Sequence, residues 1–412
     1  MKIEFNKFIL ENGLKVLVHE RSDTQLASVN ILYNVGARNE IPERTGFAHL
    51  FEHLMFGGSA NIPSYDCPLQ ETGGENNAFT TNDITNYYLT LPAQNIETAF
   101  WLESDRMLSL AFTPVSLEVQ RKVVIEEFRQ RYINQPYGDA MHILRELIYK
   151  KHPYRWPTIG VDPSHIEAAT MQDVKNFFYN WYAPDNAIMT VAGNVKTKEI
   201  EKLAEKWFGP VPCRNVVNPV LPSEPKQKKI RKKSVYRKVP YSAIYMAFRM
   251  PGRLHEDYHA CDLLSDLLGN GKSSRLWKQL AIRKPMFSDI GASISGSYDP
   301  GFILIDGTLN ENVNHSEVEE EIWKVIDELR SKKVSTRELG KIINKAEATT
   351  IFQNLGVSSI ALHLAIFEHL GDAALINSEH LNYRAVTREK MLNAATEYLT
   401  KENCSILNYN KI

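Results

Sequence analysis

Ala27-Ser-Val-Asn-Ile-Leu-Tyr33, a polar loop, and then the run Gly46-Phe-Ala-His-Leu-Phe-Glu-His-Leu-Met-Phe-Gly-Gly58 decide the fold of this chain. The first stretch alternates and carries β-branched residues, which predicts a strand. The second spaces its apolar residues as a helix does and stops at paired glycines. After residue 240 the same succession returns: Tyr241-Ser-Ala-Ile-Tyr-Met-Ala-Phe248 reads as a strand, Tyr258 to Leu268 as a helix, and Gly269-Asn270-Gly271 as its stop. Strand, loop, helix and glycine stop in one repeated order point to a duplicated unit. The expected fold class is α+β, with two similar domains, each a mostly antiparallel sheet flanked by helices.

Between the two copies lies Pro222-Ser-Glu-Pro-Lys-Gln-Lys-Lys-Ile-Arg-Lys-Lys233, rich in Pro and Lys and poor in apolar residues. Like charges keep such a segment extended and solvated, so it is expected to be a linker. The expected domains are therefore 1–221 and 234–412, joined by a basic linker at 222–233. A length of 412 residues suits two domains that each bury a core.

Composition narrows the function classes. Apolar residues make up 43% and charged residues 24%, and 48 Lys+Arg stand against 49 Asp+Glu. That balance is typical of a globular protein and argues against nucleic acid as a partner, since neutralising phosphates needs a basic excess. No stretch reaches the length of an apolar membrane span, and the N-terminal residues lack the apolar core of a signal peptide. Cys67, Cys213, Cys261 and Cys404 form no CxxC pair. Together these features predict reduced thiols, no membrane partner and a cytoplasmic setting.

The chemistry concentrates in His49-Leu-Phe-Glu-His53. On a helix, residues four apart lie about 40° apart and one turn up, so both imidazoles can reach one ion while Glu52 projects beside them. Zinc takes neutral imidazole nitrogens, and a catalytic zinc keeps one position open for water. The pattern HxxEH is the inverted form of the HExxH metallopeptidase motif. A neighbouring carboxylate accepts a proton from the activated water and returns it to the leaving amine. The surrounding Phe47, Leu50, Phe51, Leu54 and Met55 are apolar, and polar groups buried in such a helix need a partner, which an ion would supply.

A third ligand must come from elsewhere. Thr113 as N-cap and Pro114 at the first helical position open a long helix from about Val115 to Tyr132, which carries Glu126 and Glu127. Spacing leaves both open as the ligand. The stretch with His363, Glu368 and His369 also contains two histidines and a glutamate, but six residues separate the rings, out of register on a helix. These are expected to be ordinary core or surface side chains.

The runs Gly46 to Gly58, Gly73-Gly-Glu-Asn-Asn-Ala-Phe-Thr80 and Arg121-Lys-Val-Val-Ile-Glu-Glu127 closely resemble the pitrilysin/insulinase zinc peptidases, which include mitochondrial processing peptidase. Three separated motifs occur in order, and the two-half layout extends the likeness along nearly the whole chain. The resemblance implies one zinc ion per chain held by His49, His53 and Glu127, with Glu52 as general base. It assigns Asn77 and Ala78 to an edge strand that pairs with extended peptide substrate, a recognition mode in which main-chain hydrogen bonds supply affinity.

This sequence departs from the family pattern at two places. Seven residues before the third ligand the family often has an assisting glutamate, and here Gln120 stands there. The family also draws an Arg and a Tyr from its metal-free half, where this chain has Ile282 and Ser288, with Arg283 adjacent and Tyr298 the nearest tyrosine. The second half reads Cys261-Asp-Leu-Leu-Ser265 where the first has HxxEH. By this likeness the chain supplies zinc and base, and a homologous metal-free partner completes a heterodimer, although two identical chains can also pair. The competing expectation is a non-catalytic scaffold or assembly subunit of the same fold.

Overall fold

The computed structural model describes residues 2–412. In the first half β1 (Asn6–Ile9), β2 (Lys15–Glu20) and β3 (Leu26–Tyr33) precede α1 (Phe47–Leu54) and α2 (Asp66–Glu71). A hairpin of β4 (Glu75–Thr80) and β5 (Thr85–Pro92) leads to α3 (Ile96–Leu108) and α4 (Pro114–Phe128). Then come α5 (Ala140–Ile148), α6 (Ser164–Glu167), α7 (Met171–Trp181), β6 (Ala187–Gly193) and α8 (Thr197–Phe208). The second half opens with β7 (Arg231–Arg237), β8 (Ala243–Arg249), α9 (Tyr258–Gly269), β9 (Phe287–Ile294) and β10 (Phe302–Leu309). It closes with α10 (His315–Ser331), α11 (Thr336–Gln353), α12 (Val357–His369), α13 (Glu379–Arg384), α14 (Arg388–Tyr398) and β11 (Cys404–Lys411).

The strands form two sheets, ordered β1-β2-β6-β3-β5-β4 and β7-β11-β8-β10-β9. Leaving out β1, both sheets place their strands, counted along the chain, as first, fifth, second, fourth and third. Each contains one parallel pair, β2 with β6 and β7 with β11, and is otherwise antiparallel. The α+β class and the repeated unit expected from sequence are both present.

Alternation along β3 explains how the first sheet is covered. Ala27, Val29, Ile31 and Tyr33 enter one core with Leu50, Phe51 and Leu54 of α1. The intervening Ser28 and Asn30 are also fully buried. Burial of these polar groups is tolerated because each has a partner: Asn30 and Asn86 exchange side-chain amide bonds at 2.9 and 2.8 Å, and the Ser28 hydroxyl donates to the Leu89 carbonyl. What covers them is α12, which packs on β3 and β6 and whose Ala361 carbonyl accepts from the Thr190 hydroxyl at 2.6 Å. In the second sheet α5 packs on β7, β8 and β11.

These two helices correct the expected contiguous division. One compact unit comprises residues 2–129, 156–221 and 351–378, and the other comprises 130–155, 222–350 and 379–412. Each sheet takes a helix from the opposite half of the sequence. The linker is corrected as well. Arg231, Lys232 and Lys233 already belong to β7, Gln227 is buried with its amide donating to the Cys404 carbonyl, and Glu224 accepts from the backbone N–H groups of Lys150, Lys151 and His152 at 2.7–3.0 Å. Arg231 donates to the Leu147 and Ile148 carbonyls, capping the end of α5. Around these anchors Pro222, Ser223, Pro225, Lys226, Lys228 and Lys229 are exposed and meet the expectation of a solvated run.

Candidate functional site

The helix α1 begins where the chain can turn sharply. Gly46 has φ +90°, and a Cβ there would meet the Ile159 carbonyl at 2.6 Å, so the position needs glycine. The N–H groups of Gly46 and Ala48 donate to the buried carboxyl of Glu40 at 2.9 and 2.8 Å, which satisfies the open end of the helix. Burial pushes that carboxyl up to about 8, against the pull of these donors. From this start Phe47, Ala48, Leu50, Phe51 and Leu54 face the core, which leaves His49, Glu52 and His53 on the remaining face.

α4 packs beside α1 and brings in its own carboxylate. Leu117, Val124 and Phe128 point inward, and Glu127, three residues after Val124, shares that side. Glu126 follows exposed Val123, has a side chain 53% exposed and faces Arg129 at 3.7 Å. The alternative left open by spacing is therefore separated by the helix face: Glu127 meets the histidines and Glu126 does not.

His49 Nε2 lies 3.7 Å and His53 Nε2 3.4 Å from the same Glu127 Oε2, and one ligand atom from each of the three residues lies within 4.8 Å of the others. Donors 2.0–2.2 Å from a tetrahedral zinc are about 3.3 Å apart, so two imidazole nitrogens and a carboxylate oxygen at these separations fit such an ion. Glu52 stands beside them, and its Oε2 accepts a 2.6 Å hydrogen bond from the Thr80 hydroxyl. Burial lifts the Glu52 carboxyl above its ordinary range; Thr80 and His53 pull it down and Glu127 pushes it up.

Thr80 and Glu40 were missed from sequence. For Thr80 a signal existed: it stands two residues after Ala78 on one strand, so both side chains share a face. Asn77 and Ala78 lie on β4, the outermost strand of its sheet. The Ala78 N–H bonds the Asn77 side-chain oxygen at 2.8 Å, so that amide points to the open side and away from β5.

The other histidine pair stays apart from this cluster. His363 faces Asn354 at 2.7 Å, and Glu368 is taken up by Lys7 and Lys15. In the second half Ile282 is 66% exposed, Ser288 donates to the Thr308 carbonyl, and Arg283 donates to Gln279 on its own helical turn. Among the described residues, His49, His53 and Glu127 are the one cluster with metal-ligand geometry.

Residues 15–160 match the family model described as Insulinase (Peptidase family M16), and 168–346 match that described as Peptidase M16 inactive domain. The chain belongs to the insulinase family, M16. Its relatives include zinc protease PqqE of Helicobacter pylori, 32% identical over 358 residues, or 85% of this chain and 80% of that protein. A crystal structure of a protease from Helicobacter pylori superposes with TM-score 0.93 at 28% identity, covering 100% of both chains. A peptidase M16 inactive domain from Pseudomonas fluorescens shares the fold at TM-score 0.89 and 16% identity, over 100% of this chain and 98% of that one. Within the insulinase family the description "inactive domain" falls here on residues 168–346, a stretch that lacks HxxEH.

Proposed function

We propose that this chain is a zinc-dependent peptidase of extended peptides, in which His49, His53 and Glu127 hold one zinc ion and Glu52 is the general base. The convergence of those three ligand atoms, with a half-buried carboxylate beside them, carries the reading. Held there, zinc would supply Lewis acidity to a water molecule and to the scissile carbonyl. Glu52 takes a proton from the attacking water on its carboxylate oxygen and passes it to the departing amine. A carboxylate raised by burial is a stronger base than an ordinary one, which suits it to take the proton from water. An extended peptide adds alongside β4, replacing the Asn77 side chain at the Ala78 amide, and the folded core of a protein offers no free strand for that pairing.

We further propose a partner chain bearing the Arg and Tyr that Ile282 and Ser288 replace, since neither of these side chains offers the oxyanion a charged or phenolic donor. A homologous metal-free subunit suits this role, and two copies of this chain form the lesser alternative. Four free cysteines support a cytoplasmic setting. The same missing Arg and Tyr favour the second reading, a non-catalytic assembly subunit.

Glu52→Gln decides between them. Peptide cleavage measured with and without the candidate partner should disappear while elemental analysis still finds one zinc per chain. Cleavage at the unaltered rate in that variant would remove Glu52 as the base, and absence of cleavage by the unaltered chain in both settings would favour the scaffold.

A further inference from the structure

We infer that Thr80 is a positioning residue for Glu52: through its hydroxyl, the outermost strand β4 holds the Glu52 carboxylate in one orientation. The inference rests on the peptidase reading of the site and adds a residue to it. Glutamate has three side-chain dihedrals, and its carboxylate samples several rotamers unless something holds it. Among the described residues, the Thr80 hydroxyl is the one side-chain donor to Glu52, at 2.6 Å. The bond is made to one carboxylate oxygen, Oε2, so it fixes the plane of the carboxylate as well as its position.

Thr80 is itself well anchored. It pairs with Thr85 at the end of the hairpin, where the Thr81 hydroxyl accepts from the N–H groups of Asp83 and Ile84 at 3.1 and 3.0 Å, and the Thr85 hydroxyl donates to the Val35 carbonyl at 2.9 Å. A β-branched side chain on such a strand has few rotamers, so the hydroxyl direction is set by the backbone. Ala78 is two residues away on the same strand. A peptide adding beside Ala78 would order the strand that orients the base.

The test compares zinc-loaded unaltered protein with Thr80→Val, which keeps the shape and loses the donor, and Thr80→Ser, which restores it. Crystal structures should show one Glu52 rotamer in the unaltered protein and in Thr80→Ser, and several in Thr80→Val. A single unchanged Glu52 rotamer in Thr80→Val overturns the inference, whether or not the preparation turns over. On an unstructured fluorogenic peptide, with the partner chain present, Thr80→Val should lower kcat by about 10- to 100-fold with KM, zinc content and melting temperature unchanged. Thr80→Ser should recover most of that loss. If Glu52→Gln is inactive while Thr80→Val keeps full kcat, only the role of Thr80 fails; if Glu52→Gln cleaves normally, the peptidase reading of the site fails with it.

Discussion

At the level of single residues, one position in α4 separates a carboxylate that faces the two histidines from one that does not. Glu127 and Glu126 have the same chemistry, but the side chains are 18% and 53% exposed, and only Glu127 faces the histidines. Glu127→Ala should weaken zinc retention on the order of 100-fold or more in chelator competition, with Glu126→Ala near the unaltered value. Sequence could not choose between them because α4 carries two apolar stripes, Val115-Val119-Val123 and Leu117-Val124-Phe128, and the first is exposed. His49, Glu52 and His53 were legible because all three lie on one turn with apolar residues around them. His369 illustrates a different residue-scale effect. Burial, followed by Arg38 and Lys15, depresses its pKa to about 4 from an ordinary 6.5. The unfolded chain therefore takes up the proton first, and stability falls as pH drops from about 6.5 toward 4, with no contribution above that window. Denaturant midpoints at pH 7 and 4.5 should converge in His369→Gln relative to the unaltered protein.

At the level of elements, α3 underpins the helix that bears the site. Arg106 and Glu103 are 1% exposed and joined by bonds of 2.6 and 2.9 Å. The guanidinium lies 5.4, 4.6 and 4.5 Å from the ring centres of Phe56, Tyr65 and Tyr87. Tyr87 in turn donates to the Phe51 carbonyl of α1, and Phe56 follows that helix. Removing one member of a buried pair strands the other charge, so Arg106→Met should cost about 3–5 kcal/mol in urea unfolding, while zinc-free and zinc-loaded protein lose it alike. The start of α4 was readable: Thr113 accepts from the Ser116 N–H as an N-cap should. The partnership between α3 and α1 was not, because Leu-Glu-Ser-Asp-Arg-Met107 looks like a solvated helix face until the aromatic rings enclose it.

For the molecule as a whole, the helix exchange is what no local pattern announced. Ser28 and Asn30 on β3 are buried under α12, which lies more than half the chain away in sequence. Fragments 1–221 and 234–412 made separately should each lack a covering helix, and near-ultraviolet circular dichroism should show neither with native aromatic packing. Mixing them should restore the signal in part, because each brings the piece the other needs. The exchange also imposes an order on synthesis. The first sheet can assemble its strands once β6 leaves the ribosome, but its Asn30 and Asn86 face stays bare until residue 369 has emerged. The half that bears the site is thus the first to be translated and among the last to be finished, and a nascent chain stalled before that helix would present an unsealed sheet to chaperones.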